Sequence, residues 1–311
     1  MGVFVFLPLV LPLTAWPVAR LAEQRLHPRT ATVLLSVVAG VLAVCSMVCL
    51  ALLMVVGTAQ LPGNPLPDGW SDEEVREAVP YDEVAGLLAI PALGAVVAAC
   101  CRTLWVHLRV RRRAERAVAG LPTSVVVLPD AGPYAYALPG RRGRAGRVVV
   151  STSMLSCLES AERRALFAHE RAHLAGRHHR FLLAVQLAAR ANPFLRPLRT
   201  AVTFTAERWA DEEAASTIGS RWVTARAIGK AALVSQGAPA VTPAHFAQAG
   251  PVPRRVGALL EPAPAVRRWP SVFTAVGLAA WTAAAGTTLS ALSSANATVT
   301  LFFVLKAATP L

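Results

Sequence analysis

Charge is scarce in this chain. Of its 311 residues only 16% are Asp, Glu, Lys or Arg, while 54% are hydrophobic, and the mean hydropathy is +0.47. That balance excludes an ordinary soluble globular protein and points to membrane spans. Paired cysteines are also missing. None of the five cysteines is spaced as C-x-x-C; Cys45, Cys49, Cys100 and Cys101 lie in apolar runs, and Cys157 lies outside them. They read as small apolar residues. There is no zinc-finger spacing and no interleaving of aromatic with basic residues, so the net charge of +13 does not imply direct nucleic-acid binding. The arginines cluster beside apolar runs, where they suit anionic lipid headgroups. No internal repeat is present. No Lys or Arg precedes Arg20, so a cleaved signal peptide with a basic leader is not expected.

What is present is long apolar sequence. A bilayer crossing needs about 20 residues, and four stretches qualify: residues 2–19, 31–56, 84–101 and about 271–292. Pro8, Pro12 and Pro17 interrupt the first. The loop after it carries Arg20, Arg25 and Arg29. Residues 57–83 carry seven acids and only Arg76. Six arginines follow between Arg102 and Arg116. Basic residues stay on the cytoplasmic side, so the expected orientation has the N-terminus outside, residues 57–83 outside, residues 102–269 in the cytoplasm and the C-terminal tail outside. The expected organisation is three transmembrane helices within 1–101, a cytoplasmic domain over 102–269, and a fourth span with a short tail over 270–311.

The cytoplasmic segment opens with a basic helical stretch, Thr103 to Ala119. "TSVVVLP" (123–129), "YAYAL" (134–138) and "RVVVST" (147–152) then read as three short strands divided by Gly, Pro and Asp. Helical periodicity follows: a first helix capped by Ser160 and stopped by Gly176, a second from about Thr205 to Ser216 capped by Thr203 or Thr205, and a third from Arg221 to Ser235. Residues 236–270 are rich in Pro and Gly and read as loop, with a short helix near 254–260.

Within the first of those helices lies His169-Glu170-Arg171-Ala172-His173, an H-E-x-x-H match. Residues four apart share a helix face, so His169 and His173 can offer two imidazoles to one ion. Glu170 is turned by about 100° from His169 and can act as the base. Zinc hydrolases commonly use three protein ligands and leave one position open. The best third ligand is Glu207 on the following helix, with Asp211 four residues on, placed to hydrogen-bond a ligating histidine. His178, His179, Glu212, Glu213 and His245 are competing ligands. His178 and His179, just after Gly176, are expected in a solvated basic turn.

"AHERAHLAGRHH", "ERWADEEAA" and "YAYALPGRRGRAGRVVVSTSML" together resemble membrane-embedded gluzincin metallopeptidases of the BlaR/MecR antirepressor type and, more distantly, HtpX and the CAAX-prenyl proteases. The resemblance implies an α-helical membrane protein with an inserted α+β zincin-like domain, holding one zinc ion per chain on His169, His173 and Glu207. It makes Glu170 the base and Asp211 the acid behind the ligands. It implies a zinc endopeptidase acting on a protein at the cytoplasmic membrane, with a repressor as substrate and a role in signal transduction. The other readings are HtpX-like quality control of membrane proteins and a non-catalytic sensor or scaffold. The resemblance further implies an edge strand that pairs with extended substrate, Ala135, Tyr136 and Ala137 with Leu138 or its neighbour, the alternative being an ordinary structural strand. Apart from the resemblance, His245 or Arg254 is a candidate to stabilise an oxyanion or buttress Asp211. The β-lactam receptors carry a sensor after the last span; the residues following Leu292 contain no Ser-x-x-Lys motif, so no β-lactam sensor is expected on this chain.

Overall fold

The structure is a computed structural model that describes residues 5–64, 66–72, 75, 82–121, 123–140, 145–235, 251–264 and 273–309. Among the described residues, three helices are long and apolar enough to cross a membrane: Pro28–Ala59, Val84–Ala117 and Gly277–Ala307. The expected first crossing is not one helix. Pro8 and Pro12 lack the amide hydrogens that a continuous helix would use, and the chain runs as α1 (Leu7–Val10), a 3-10 turn (Leu11–Thr14) and α2 (Ala15–Arg25). These pieces lie along α3 (Pro28–Ala59), where Ser46 Oγ donates to the carbonyl of Pro8 at 2.8 Å. Pro28 opens α3 at a position where a missing N–H costs nothing.

The next long helix, α4 (Asp82–Ala117), continues unbroken through residues 101 and 102, so the basic stretch at 103–117 extends an apolar helix instead of starting a new one. Two glycines set the approach of α3 to α4: a Cβ placed on Gly57 would lie 2.2 Å from the backbone of Gly86. Small residues allow such close backbone packing between apolar helices.

The three expected strands form β1 (Val125–Leu128), β2 (Ala135–Leu138) and β3 (Arg147–Ser151). Their order is β1-β3-β2. β1 runs parallel to β3 with Val126 opposite Val149; β2 runs antiparallel to β3 with Tyr136 opposite Val149. β2 is therefore an edge strand. Val126, Tyr136, Leu138 and Val149 pack on Ala114 and Val118 of α4 and its C-terminal end. Val150 packs with Met154, Leu158 and Leu166.

The remaining helices are α5 (Thr152–Ser156), α6 (Ser160–Ala175), α7 (His178–Ala191), α8 (Arg196–Ile218), α9 (Arg221–Val234), α10 (Val252–Leu260) and α11 (Ala275–Ala307). α6 is capped by Glu159, not Ser160: the Glu159 N–H donates to Glu162 Oε2 at 2.9 Å, half of a capping box. α8 starts nine residues earlier than the threonines suggested. Pro197 sits in its first turn, and Thr203 and Thr205 are interior residues whose hydroxyls bond to carbonyls of the preceding turn. α11 extends well past Leu292.

One hydrophobic core joins the two halves of the chain. Ala15, Ala19 and Ala22 of α2 and Leu35, Val38 and Leu42 of α3 pack with Val185 of α7, Leu195, and Leu198 and Val202 of α8. Polar links reinforce it. Thr32 Oγ1 donates to Thr205 Oγ1 at 2.9 Å, and Asn192, between α7 and α8, donates to Ser46 Oγ at 3.0 Å and to the carbonyl of Leu9 at 3.1 Å.

Candidate metal centre

α6 turns one face inward, and that face carries Ala165, Ala168, His169, Glu170 and Ala172, all buried. α8 answers with Ala206, Ala210 and Ala214, each fully buried. These methyl side chains let the two helices pack closely, so the short carboxylate arms on α8 reach the imidazoles on α6. Glu207 and Asp211, four apart, stand on that shared face.

His169, His173 and Glu207 each offer a ligand atom, and these atoms lie within 4.8 Å of one another. His169 Nε2 is 3.1 Å from His173 Nε2. Glu207 Oε2 is 3.5 Å from His169 Nε2, and Oε1 is 3.4 Å from His173 Nε2. A tetrahedral zinc ion with bonds near 2.0–2.1 Å separates its ligand atoms by about 3.3 Å. The observed spacings fit that ion.

Behind the ligands, Asp211 Oδ1 faces His169 Nδ1 at 3.0 Å, and His178 Nδ1 lies 2.8 Å from His173 Nδ1. His178 is 0% exposed, so it is not in the solvated turn expected from the sequence. It begins α7 and folds back under α6. Arg255, on α10, is a residue of the centre that the sequence does not single out. Its guanidinium grips Asp211 with Nε to Oδ2 at 2.8 Å and a terminal nitrogen to Oδ1 at 2.7 Å, and reaches Glu207 Oε2 at 2.9 Å. Its neighbour Arg254 points elsewhere, to Glu23 at 3.3 Å and over the Phe204 ring. His245 lies outside the described residues. Glu212 pairs with Arg208 at 2.7 Å and with Arg221, Glu213 is exposed, and His179 is only half-buried; none of these three joins the metal-ligating group.

Electrostatics follow from burial among opposite charges. Burial opposes a charged His169 ring, yet Asp211 and Glu207 outweigh it and push the ring up to about 10. Burial lowers His173 to about 4. Burial would raise Glu207, but Arg255 first and then the histidines hold it well below the carboxylate range. Asp211 is lowered against burial chiefly by Arg255.

Glu170 is set apart from the paired carboxylates. Burial raises it to about 7, with Glu207 adding to the rise and His169 opposing it. The register of β2 shows which way that strand faces. In an antiparallel pair, backbone groups point alternately toward the partner strand and away. The Tyr134 carbonyl accepts from the Ser151 N–H at 3.0 Å, so Tyr134 and, two residues on, Tyr136 face β3, while Ala135 and Ala137 turn their backbone groups the other way.

Comparison with curated proteins and with solved structures gives no match. Residues 101–194 match the sequence profile of Peptidase family M48. That segment holds the strands and both histidines, and ends before Glu207. Over those residues the chain is thus similar to a family of metallopeptidases that are typically zinc-dependent, and the rest of the chain adds the carboxylate that completes a candidate metal-binding triad.

Proposed function

We propose that the chain is a membrane-anchored zinc endopeptidase whose catalytic domain, residues 102–269, works at the cytoplasmic face of the cell membrane. The observation that carries this reading is the convergence of His169, His173 and Glu207 to tetrahedral spacing with Glu170 one residue from the first ligand. Bound zinc supplies Lewis acidity, polarising a carbonyl and bringing the pKa of water toward ~7. The protein supplies the rest. Glu170 takes a proton from the attacking water and returns it to the leaving amine, a task suited to a carboxyl poised near neutrality. Asp211 and His178 hold the ligand rings, and Arg255 holds both carboxylates. The outward edge of β2 pairs with extended substrate through its backbone, which favours length over sequence.

The antirepressor-type resemblance makes a repressor the first candidate substrate. A second reading, cleavage of membrane proteins, has its own support. The ligand-bearing helix α8 is tied to the first turns of α3 by the Thr32–Thr205 bond and by Arg29 over the Trp209 ring, so the site lies close to the foot of a candidate span.

Replacing Glu170 with Gln tests the core of the proposal. The variant should retain about one zinc per chain, since no ligand is lost, while cleavage falls by at least about 10²-fold, as loss of a general base requires. Undiminished cleavage refutes the role of Glu170. Comparing proteomes of cells carrying parent and variant separates the two substrate readings: one discrete product for a repressor, many membrane-protein fragments for quality control.

A further inference from the structure

We propose that His178 is a positioning residue that holds the His173 ring in the orientation its metal requires; the inference rests on the zinc reading above. The two ligand rings solve the same problem differently. A histidine bound through Nε2 carries its hydrogen on Nδ1, and that hydrogen needs an acceptor. For His169 the acceptor is the Asp211 carboxylate, 3.0 Å from Nδ1. For His173 no carboxylate faces Nδ1 among the described residues. The atom opposite His173 Nδ1 is His178 Nδ1, at 2.8 Å. His178 must accept there, which puts its own hydrogen on Nε2.

The local chain is shaped to deliver this ring. α6 ends at Ala175 and Gly176 caps it. Arg177 has φ 51°, the only positive φ at a non-glycine residue among those described. That left-handed turn, costly for a residue with a Cβ, reverses the chain so that His178 opens α7 directly beneath the last turn of α6. Gly176 leaves the necessary room, because a Cβ there would stand 2.3 Å from His178 Nε2. The rings of His173 and His178 meet edge to face, with centroids 4.8 Å apart, and Trp209 of α8 lies against His178 at 4.4 Å. The pocket fixes one ring plane.

His178 is not itself a ligand, because its near nitrogen faces the outer nitrogen of His173 and not the triad. A neutral imidazole accepts the hydrogen without adding charge to the cluster.

The test uses the full chain in detergent and measures zinc affinity by competition with a chromogenic chelator. His178→Phe keeps a ring but has no acceptor, and should bind zinc about 10–100-fold more weakly, the usual loss when such a partner is removed. His178→Asn, whose amide oxygen can take the same hydrogen, should recover most of that loss. Gly176→Ala retains His178 but crowds its ring, and should weaken zinc binding as well. Should His178→Phe fail to fold, the His178→Asn and Gly176→Ala variants carry the comparison. Zinc affinity of His178→Phe or Gly176→Ala within about twofold of the parent overturns the proposal, as does His178→Asn falling as far as His178→Phe. A parent chain that holds no zinc removes the metal reading itself, so the two failures are distinct.

Discussion

Replacing Arg255 with Leu should destabilise the metal-free chain more than any other single change around the centre. The side chain is 5% exposed and makes close contacts to two buried carboxylates. Leucine fills part of the volume and leaves Glu207 and Asp211 with only the His169 ring as a cationic partner. Removing one partner of a buried ion pair costs about 3–5 kcal/mol. For a folded unit of 150–250 residues each kcal/mol lowers the melting midpoint by about 2–4 °C, giving a fall of about 6–20 °C. Arg255→Lys should land between, since a single ammonium cannot match a guanidinium that bridges both acids. Saturating zinc should narrow the gap between the Arg255→Leu variant and the parent, because a divalent ion neutralises Glu207. The assay is thermal unfolding of the full chain in detergent, with chelator and with excess zinc. A metal-free midpoint within about 2 °C of the parent would show that Arg255 does not hold the carboxylates and would refute this account.

Two further outcomes are expected. Glu162 is nearly covered and accepts from the Glu159 N–H at 2.9 Å and from Lys230 at 2.8 Å; burial would raise its pKa, but Lys230 and then the remaining partners bring the net value below its usual 4.5. Its folded pKa lies below the unfolded one, so its contribution is complete above about pH 4.5 and disappears as pH falls through the folded value. Glu162→Gln should therefore lose about 1–3 kcal/mol at neutral pH, and chemical denaturation repeated below pH 4 should find parent and variant converging. Cys157 is exposed and lies at the end of α5, just before the motif helix. In a chain whose other cysteines are alanine, a membrane-impermeant maleimide should label Cys157 in inside-out vesicles and not in intact cells; the reverse pattern would invert the proposed orientation.

Some of this was legible in sequence and some was not, for physical reasons. The histidine pair was readable because its geometry is local: four residues on one helix fix two rings on one face. Glu207 was readable through the same rule applied to Asp211. The strands were readable because Val and Tyr run between turn residues. Arg255 and His178 were hidden because each depends on direction, not composition. Two adjacent arginines on a short helix point about 100° apart, and only packing decides that Arg254 meets Glu23 while Arg255 enters the centre. His178 follows a glycine that reads as a stop, and nothing in the sequence announces that Arg177 turns left-handed and returns the chain inward. The start of α8 was misplaced because threonine hydroxyls bond as readily to a carbonyl inside a helix as to an amide at its end.

The core shared by α2, α3, α7 and α8 has a practical consequence for anyone handling this protein. Cutting the chain at the end of its apolar N-terminal third would not liberate a water-soluble domain. It would peel Leu35, Val38 and Leu42 away from Val185, Leu198 and Val202, baring the flank of the very helix that presents Glu207. Such an amputated fragment should clump, whereas the intact chain keeps that flank covered.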